Sequence, residues 1–415
     1  MFELYYRTMV NLKALNLIFA VISLLICYNA TAQTYAISAD RLIDVKKGVA
    51  VKDPVIIVKE NKIVEINYNN KIPDSAIIIV LKGYTLLPGL IDAHTHVLTG
   101  EGAYASDLYD HSPSYRSLRA AGYLSKALQN GFTLFRDLCS EGAGFADVDI
   151  SRAIDSGFID GPGLIPAGKG IAATGSYLPL MRNQNWEISL PSGTQYVTGE
   201  QECRKAVRDQ IAQGVKWIKL YSDWRTPTFT FEEIKTIADE SRKLNIPVAA
   251  HANTKEAIRM CIMAGITSIE HGDNMDDSLI DLAISKNVYW CPTISWDETH
   301  NYSSENKYKA LKYANKAKMK IVCGTDAGST PWGTPQAREL VYYVQKAGFT
   351  PAEAIKTATI NAAGMLNKKD QLGSLEINFL ADIIAVKGNP LENITLLEKV
   401  EFVMKNGKIY KQPSF

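Results

Sequence analysis

Leu87-Pro88-Gly89-Leu90-Ile91-Asp92-Ala93-His94-Thr95-His96 is the stretch on which the fold turns. It reads as an apolar strand that delivers two imidazoles at its C-terminal end. Side chains alternate faces along an extended strand, so His94 and His96 project the same way while Thr95 points opposite. Two imidazoles on one face can share a metal ion, and the rest of the chain must say whether they do.

Working outward, residues 84–372 alternate short apolar strands with amphipathic helical stretches, the pattern of repeated βα units around a parallel sheet. The strands are expected to end at His96, Asp137, Lys169, Tyr221, His251, His271, Thr293 and Asp326. Eight strands in that length imply a closed (β/α)8 TIM barrel. A doubly wound sheet is the alternative, but it usually carries a Gly-rich phosphate turn after its first strand, and none is present.

Residues 33–83 are a run of short β-like segments, such as Pro54-Val55-Ile56-Ile57-Val58 and Ala76-Ile77-Ile78-Ile79-Val80. Residues 373–415 repeat that texture with Ala381-Asp382-Ile383-Ile384-Ala385-Val386 and Val400-Glu401-Phe402-Val403-Met404. Neither end alone can bury a core, so one small β-sandwich domain assembled from both termini is expected.

Function in a barrel sits where strands end at their C-terminal side. Besides His94 and His96, those ends hold Lys219, His251, His271 and Asp326, and four of the six histidines in the chain fall there. Scatter by chance would not gather them, and a metal centre explains the set.

These residues resemble the amidohydrolase superfamily of metal-dependent hydrolases. The likeness rests on Pro88-Gly89-Leu90-Ile91-Asp92-Ala93-His94-Thr95-His96, a strand-four lysine, strand-five and strand-six histidines and Gly324-Thr325-Asp326. Segments such as Gly131-Phe132-Thr133-Leu134-Phe135-Arg136-Asp137-Leu138 and Phe349-Thr350-Pro351-Ala352-Glu353-Ala354 are similar to the branch of Xaa-Pro dipeptidases, arginine/lysine carboxypeptidases and imidazolonepropionase-like proteins.

The resemblance implies two divalent ions, zinc by preference. His94, His96 and Asp326 would hold one, and His251 and His271 the other. Lys219, as an N6-carboxylysine, would bridge them, because a free ammonium cannot ligate whereas a carbamate is an anionic two-oxygen bridge. A metal-bridging hydroxide would attack an amide carbonyl, with Asp326 as the catalytic proton shuttle. Tyr221, two residues beyond Lys219, is the second catalytic candidate, as donor to the tetrahedral oxyanion, and a substrate-binding one as well. Arg225, Arg182, His111 and Trp332 are the remaining substrate-binding candidates, and His300 is read as surface.

The chain departs from the branch after strand four, where Tyr221-Ser222-Asp223-Trp224-Arg225 replaces a small Gly-rich turn, and after strand five, where Asn253 replaces a common tyrosine. Both positions are expected to face substrate, so peptidase specificity does not transfer. Thr254 occupies the place of the glutamate that a deaminase of this superfamily carries, which favours amide or lactam hydrolysis over deamination. The substrate is expected to be a dipeptide or an N-acyl amino acid. The alternatives are an imidazolonepropionase-like lactam and, with every ligand position filled against it, a catalytically dead binding scaffold.

Composition agrees with a small-molecule partner. With 46% hydrophobic and 21% charged residues and 45 Lys+Arg against 44 Asp+Glu, no field is available to attract nucleic acid or an anionic membrane. Residues 1–32 read as a signal peptide: Arg7 and Lys13, then an apolar run from Ala14 to Cys27, then Ala30-Thr31-Ala32 before Gln33. The run is short for a span of about 20 residues. A periplasmic or secreted protein with no stable membrane span is therefore expected. An uncleaved anchor or lipoprotein processing at Cys27 is the alternative, the latter disfavoured by the bulky Ile26. Losing Arg7, Lys13 and Glu3 leaves 43 charges of each sign. The other five cysteines show no C-x-x-C spacing and read as buried free thiols. A homo-oligomer is left open.

Overall fold

The computed structural model describes residues 33–69, 71–101, 104–177, 192–224 and 228–414. The signal-peptide reading on residues 1–32 lies outside them, as do Arg182 and Arg225.

The N-terminal strands are β1 (Thr34–Asp44), β2 (Val49–Lys52), β3 (Val55–Lys59), β4 (Lys62–Asn67) and β5 (Ile77–Pro88). The middle of the chain supplies β6 (Leu90–Thr95), β7 (Phe132–Asp137), β8 (Gly163–Ile165), β9 (Gly170–Ala173), β10 (Thr194–Val197), β11 (Ile218–Tyr221), β12 (Val248–Ala252), β13 (Ser268–His271) and β14 (Tyr289–Cys291). The C-terminal strands are β15 (Ile383–Lys387), β16 (Val400–Lys405) and β17 (Lys408–Lys411).

Both termini join in one sheet, ordered β17-β16-β15-β5-β1-β3-β4, with β2 on β1. The sheet curls, because Ile63 N–H donates to Phe379 O and Ala381 N–H to Asn61 O, so the segment leading into β15 lies on β4. Residues from both ends, among them Ile56, Ile63, Phe402 and Met404, consequently share one apolar core. Asn378 takes φ +73 in the turn there, a conformation that asparagine tolerates better than most residues. β5 runs through this sheet and on toward the barrel, so one strand ties the two parts together.

The middle of the chain is a barrel of parallel strands wrapped by helices. β6 pairs with β7 and β7 with β8, while β11, β12, β13 and β14 follow in order, all parallel. Two joints close the ring. Lys216 N–H donates to Pro166 O at 2.8 Å, linking the end of β8 to the start of β11. Residues 321–326 complete the circle: Val322 N–H donates to Trp290 O at 2.9 Å, Ala93 N–H to Cys323 O at 2.8 Å and Asp326 N–H to His94 O at 2.8 Å.

The third strand ends differently from the expectation at Lys169. It stops at Ile165, and the chain turns through Gly168 at φ +68 before resuming as β9. Gly170 is needed there, since a Cβ would lie 2.5 Å from the Tyr221 ring.

Helices around the barrel start at residues suited to the task. Thr230 and Glu233 form a capping box for helix Phe231–Lys243, and Thr350 and Glu353 form one for Pro351–Thr357. Thr254 caps helix Lys255–Ala264 by accepting from Ala257 N–H. The position where a deaminase would carry its glutamate is therefore employed as a helix cap. No helix among the described residues is long and apolar enough to cross a membrane. The five cysteines among them are free and buried.

Candidate metal centre

The C-terminal ends of β6, β11, β12 and β13 bring His94, His96, Lys219, His251 and His271 to one place at the barrel mouth, and the segment 321–326, which joins the ring without forming the regular eighth strand expected, brings Asp326 there. The rings of His94 and His96 lie 5.3 Å apart between centroids, those of His94 and His271 4.9 Å, and those of His251 and His271 4.6 Å. Asp326 Oδ1 is 3.3 Å from His96 Nε2 and 3.8 Å from His94 Nε2. His94, His96 and Asp326 can present ligand atoms that all lie within 4.8 Å of one another. His271 and Asp326 leave the strand pattern, at φ +64 and +56, and these left-handed turns swing their side chains onto the centre.

The chemistry of the donor set fits divalent ions. Buried polar atoms are normally paired, yet His94 Nε2, His251 Nδ1, Lys219 Nζ and Asp326 Oδ1 are all buried without a hydrogen-bond partner among the described residues. Four such atoms converging on one spot match what a metal would occupy. Burial, with Lys219 nearby, pushes His94 down to about 4, so its ring is neutral as a ligand must be. Burial works the same way on His96, but the adjoining Asp326 carboxylate outweighs it and pushes the group up to about 9. A cation beside Asp326 would displace that proton. Burial also depresses Lys219, whose Nζ is fully enclosed 5.0 Å from the Tyr221 ring centroid. His94, Glu270 and Cys291 form a second close group, but Glu270 is already paired with Arg136 and burial holds the Cys291 thiol protonated, so this group underlies the centre.

A cavity of about 470 Å³ opens over these residues. Aromatic side chains, Tyr104, Tyr177, Tyr221, Trp224, Trp296 and Tyr302, make much of its wall, and Asn253 and Trp224 both face it as expected from the sequence.

Tyr221 lines the cavity, and its hydroxyl donates to Glu141 Oε1 at 2.7 Å. Two other candidates stand away from the expected place. His111 does not reach the cavity: Asp107, itself held by Arg119, draws its Nδ1 to 3.1 Å. Trp332 is also absent from the lining, since its indole N–H donates to Thr99 O and its ring stacks on Tyr123 at 5.0 Å. His300 is exposed and stacks on Trp296.

Sequence reasoning missed Glu270, Arg136 and Glu141. Glu270 had a signal, for it lies two residues beyond Ser268 in a strand, and period-two alternation puts both inside the barrel. Glu141 had none: it sits in a loop at φ +47, where it also accepts from Tyr177 at 2.7 Å.

Residues 85–410 match the amidohydrolase family. Ochratoxinase of Aspergillus niger is 32% identical over 374 residues, which span 79% of this chain and 76% of the relative. Imidazolonepropionase of Kosmotoga olearia is 24% identical over 384 residues, 86% of this chain and 91% of the relative. Among solved structures, a Xaa-Pro dipeptidase with bound methionine in its active site superposes with a TM-score of 0.83 at 30% identity, covering 91% of this chain and 100% of the other.

Proposed function

This chain belongs to the amidohydrolase family and is a hydrolase of carbon–nitrogen bonds, and from that premise we propose that it cleaves an amide of a small substrate, such as a dipeptide or an N-acyl amino acid, at a centre of two divalent ions. The observation that carries the reading is the convergence of four buried, unpartnered donor atoms on His94, Lys219, His251 and Asp326. His96 and His271 complete the set.

When bound, two such ions, zinc by preference, supply Lewis acidity toward the scissile carbonyl and lower the pKa of a water from about 15.7 to about 7. The chain's own groups do the rest. Asp326 stands at the mouth beside His96 and His94, placed to take the proton of the attacking water and return it to the leaving amine. Lys219 is enclosed where burial favours its neutral amine, the form that adds to carbon dioxide and, on losing a proton, gives a carbamate with two ligating oxygens. The aromatic wall packs against the substrate and excludes water around the centre.

The test is metal analysis and a substrate screen on the purified chain loaded with zinc. Two ions per chain are expected, with turnover of dipeptides or N-acyl amino acids that Asp326→Asn lowers by at least about 10²-fold. Fewer than one ion per chain on a folded protein would sink the two-ion reading, and turnover confined to lactams would move the activity to ring opening.

Export is part of the same proposal. Its support is the basic, apolar and small-residue order of residues 1–32, and removing them costs no described element because β1 begins at Thr34. The chain should be recovered outside the cytoplasm with Gln33 as its first residue. Recovery only in the cytoplasm would overturn export, and an intact Met1 on exported material would replace cleavage with an uncleaved anchor.

A further inference from the structure

The ring nitrogens that point away from the centre are held unevenly, and the inference drawn from this rests on the two-ion reading above. Behind His94 lies a charged network. Its Nδ1 donates to Glu270 Oε2 at 2.8 Å. The other Glu270 oxygen accepts from Arg136 at 2.9 Å. Arg136 is fixed in turn by Ala93 O at 2.6 Å, by Ser268 Oγ at 2.9 Å and by the face of Trp217 at 4.3 Å. All of these side chains are fully or almost fully buried.

Bonded to the Arg136 guanidinium on one oxygen and to the His94 ring N–H on the other, Glu270 backs His94 as the carboxylate of a buried ion pair. It keeps the proton on Nδ1, leaves the Nε2 lone pair facing the centre and makes the ring a stronger donor. His96 is backed by Cys139 O at 3.4 Å, with Glu141 Oε1 at 3.5 Å, and Asp326 adds a charge of its own.

On the other side the partners are neutral. His271 Nδ1 meets the Thr293 hydroxyl at 2.8 Å. His251 Nε2 lies 3.3 Å from the Asn253 side-chain amide. Neither partner brings charge to strengthen the imidazole.

We infer that the Arg136–Glu270 pair makes the two half-sites unequal: His94, His96 and Asp326 take their ion first and more tightly, and His251 and His271 fill second. Glu270 is a positioning residue that acts through His94. Partners of this kind change metal affinity by about 10–100-fold. Repulsion from the first ion further weakens entry of the second.

The experiment is a zinc titration of the metal-free, full-length chain against a chromophoric chelator in bicarbonate-containing buffer. The expected result is two steps that differ by at least about tenfold. Glu270→Gln should weaken the tight step by about 10–100-fold and leave the weak step in place. Thr293→Val should weaken the weak step alone. Circular dichroism and a melting curve on each variant establish that it is folded.

Two equal steps in the unaltered chain overturn the inequality while leaving the two-ion reading intact. Fewer than two ions bound overturns that reading instead. A folded Glu270→Gln that weakens both steps equally, or neither, overturns the positioning role. Should Glu270→Gln not fold, Thr293→Val decides, because it removes no charge: loss from the second step supports the inequality and loss from the first overturns it.

Discussion

Arg136 and Lys219 are both fully buried basic side chains inside the same barrel, and they are kept in opposite ways. Arg136, on the barrel floor, donates to Ala93 O, Ser268 Oγ and Glu270 and lies on the Trp217 ring. Lys219, at the mouth, has no hydrogen-bond partner among the described residues. Burying a polar group without a partner costs about 1–3 kcal/mol, so a fold that tolerates the second arrangement carries it for something other than its own stability. The floor is complete in itself, and the unpaired mouth is what the proposed metal centre accounts for.

The sharpest way to break this contrast is Lys219→Met, which replaces the amine with an apolar side chain of similar length. Turnover should fall by at least about 10³-fold if Lys219 bridges two ions as proposed. The metal-free chain should nonetheless melt at an unchanged or higher temperature, because an unsatisfied buried group has been removed. The measurement is a pair of melting curves alongside the rate assay. A metal-free variant that melts several degrees lower would show that Lys219 holds the fold together after all.

Arg136→Met asks the reverse question on the floor. The substitution strands Glu270 as an uncompensated buried charge behind His94, and breaking a buried pair in this way costs about 3–5 kcal/mol. Urea unfolding of the metal-free chain should register that loss in full. A loss below about 1 kcal/mol, the scale of an exposed pair, would mean that the floor is wetter or looser than its distances indicate.

The same contrast explains what could be read from the sequence. Strand periodicity is a property of the backbone, so His94, His96, Lys219, His251, His271 and Asp326 could be placed at strand ends from spacing alone, and the β-like texture of both termini exposed the shared sheet. Glu270 obeys the same logic, since it lies two residues beyond Ser268 on the inward face of β13, while His271 reaches the centre only by leaving the strand pattern. Loops obey no period. Nothing in the sequence shows that Asp107 holds His111, that Thr99 O captures the Trp332 indole, or that Gly168 ends the third strand early. Nor does it show that Glu141, in a left-handed conformation, waits for two phenols.

Tyr221 supplies the finest test, because it stands at the mouth yet is partnered like a floor residue. Its hydroxyl donates to Glu141 Oε1 at 2.7 Å, while Tyr177 satisfies the other oxygen at 2.7 Å. A phenol so engaged would have to abandon a buried carboxylate before it could reach a developing oxyanion. Tyr221→Phe should therefore lower kcat by less than about tenfold, against about 10²–10³-fold for loss of a true oxyanion donor. The cost should appear instead as about 1–2 kcal/mol of stability, since Glu141 loses one of its two phenol donors. If kcat falls by the larger factor with stability intact, the Glu141 contact belongs to the resting enzyme alone, and the hydroxyl turns toward the substrate during the reaction.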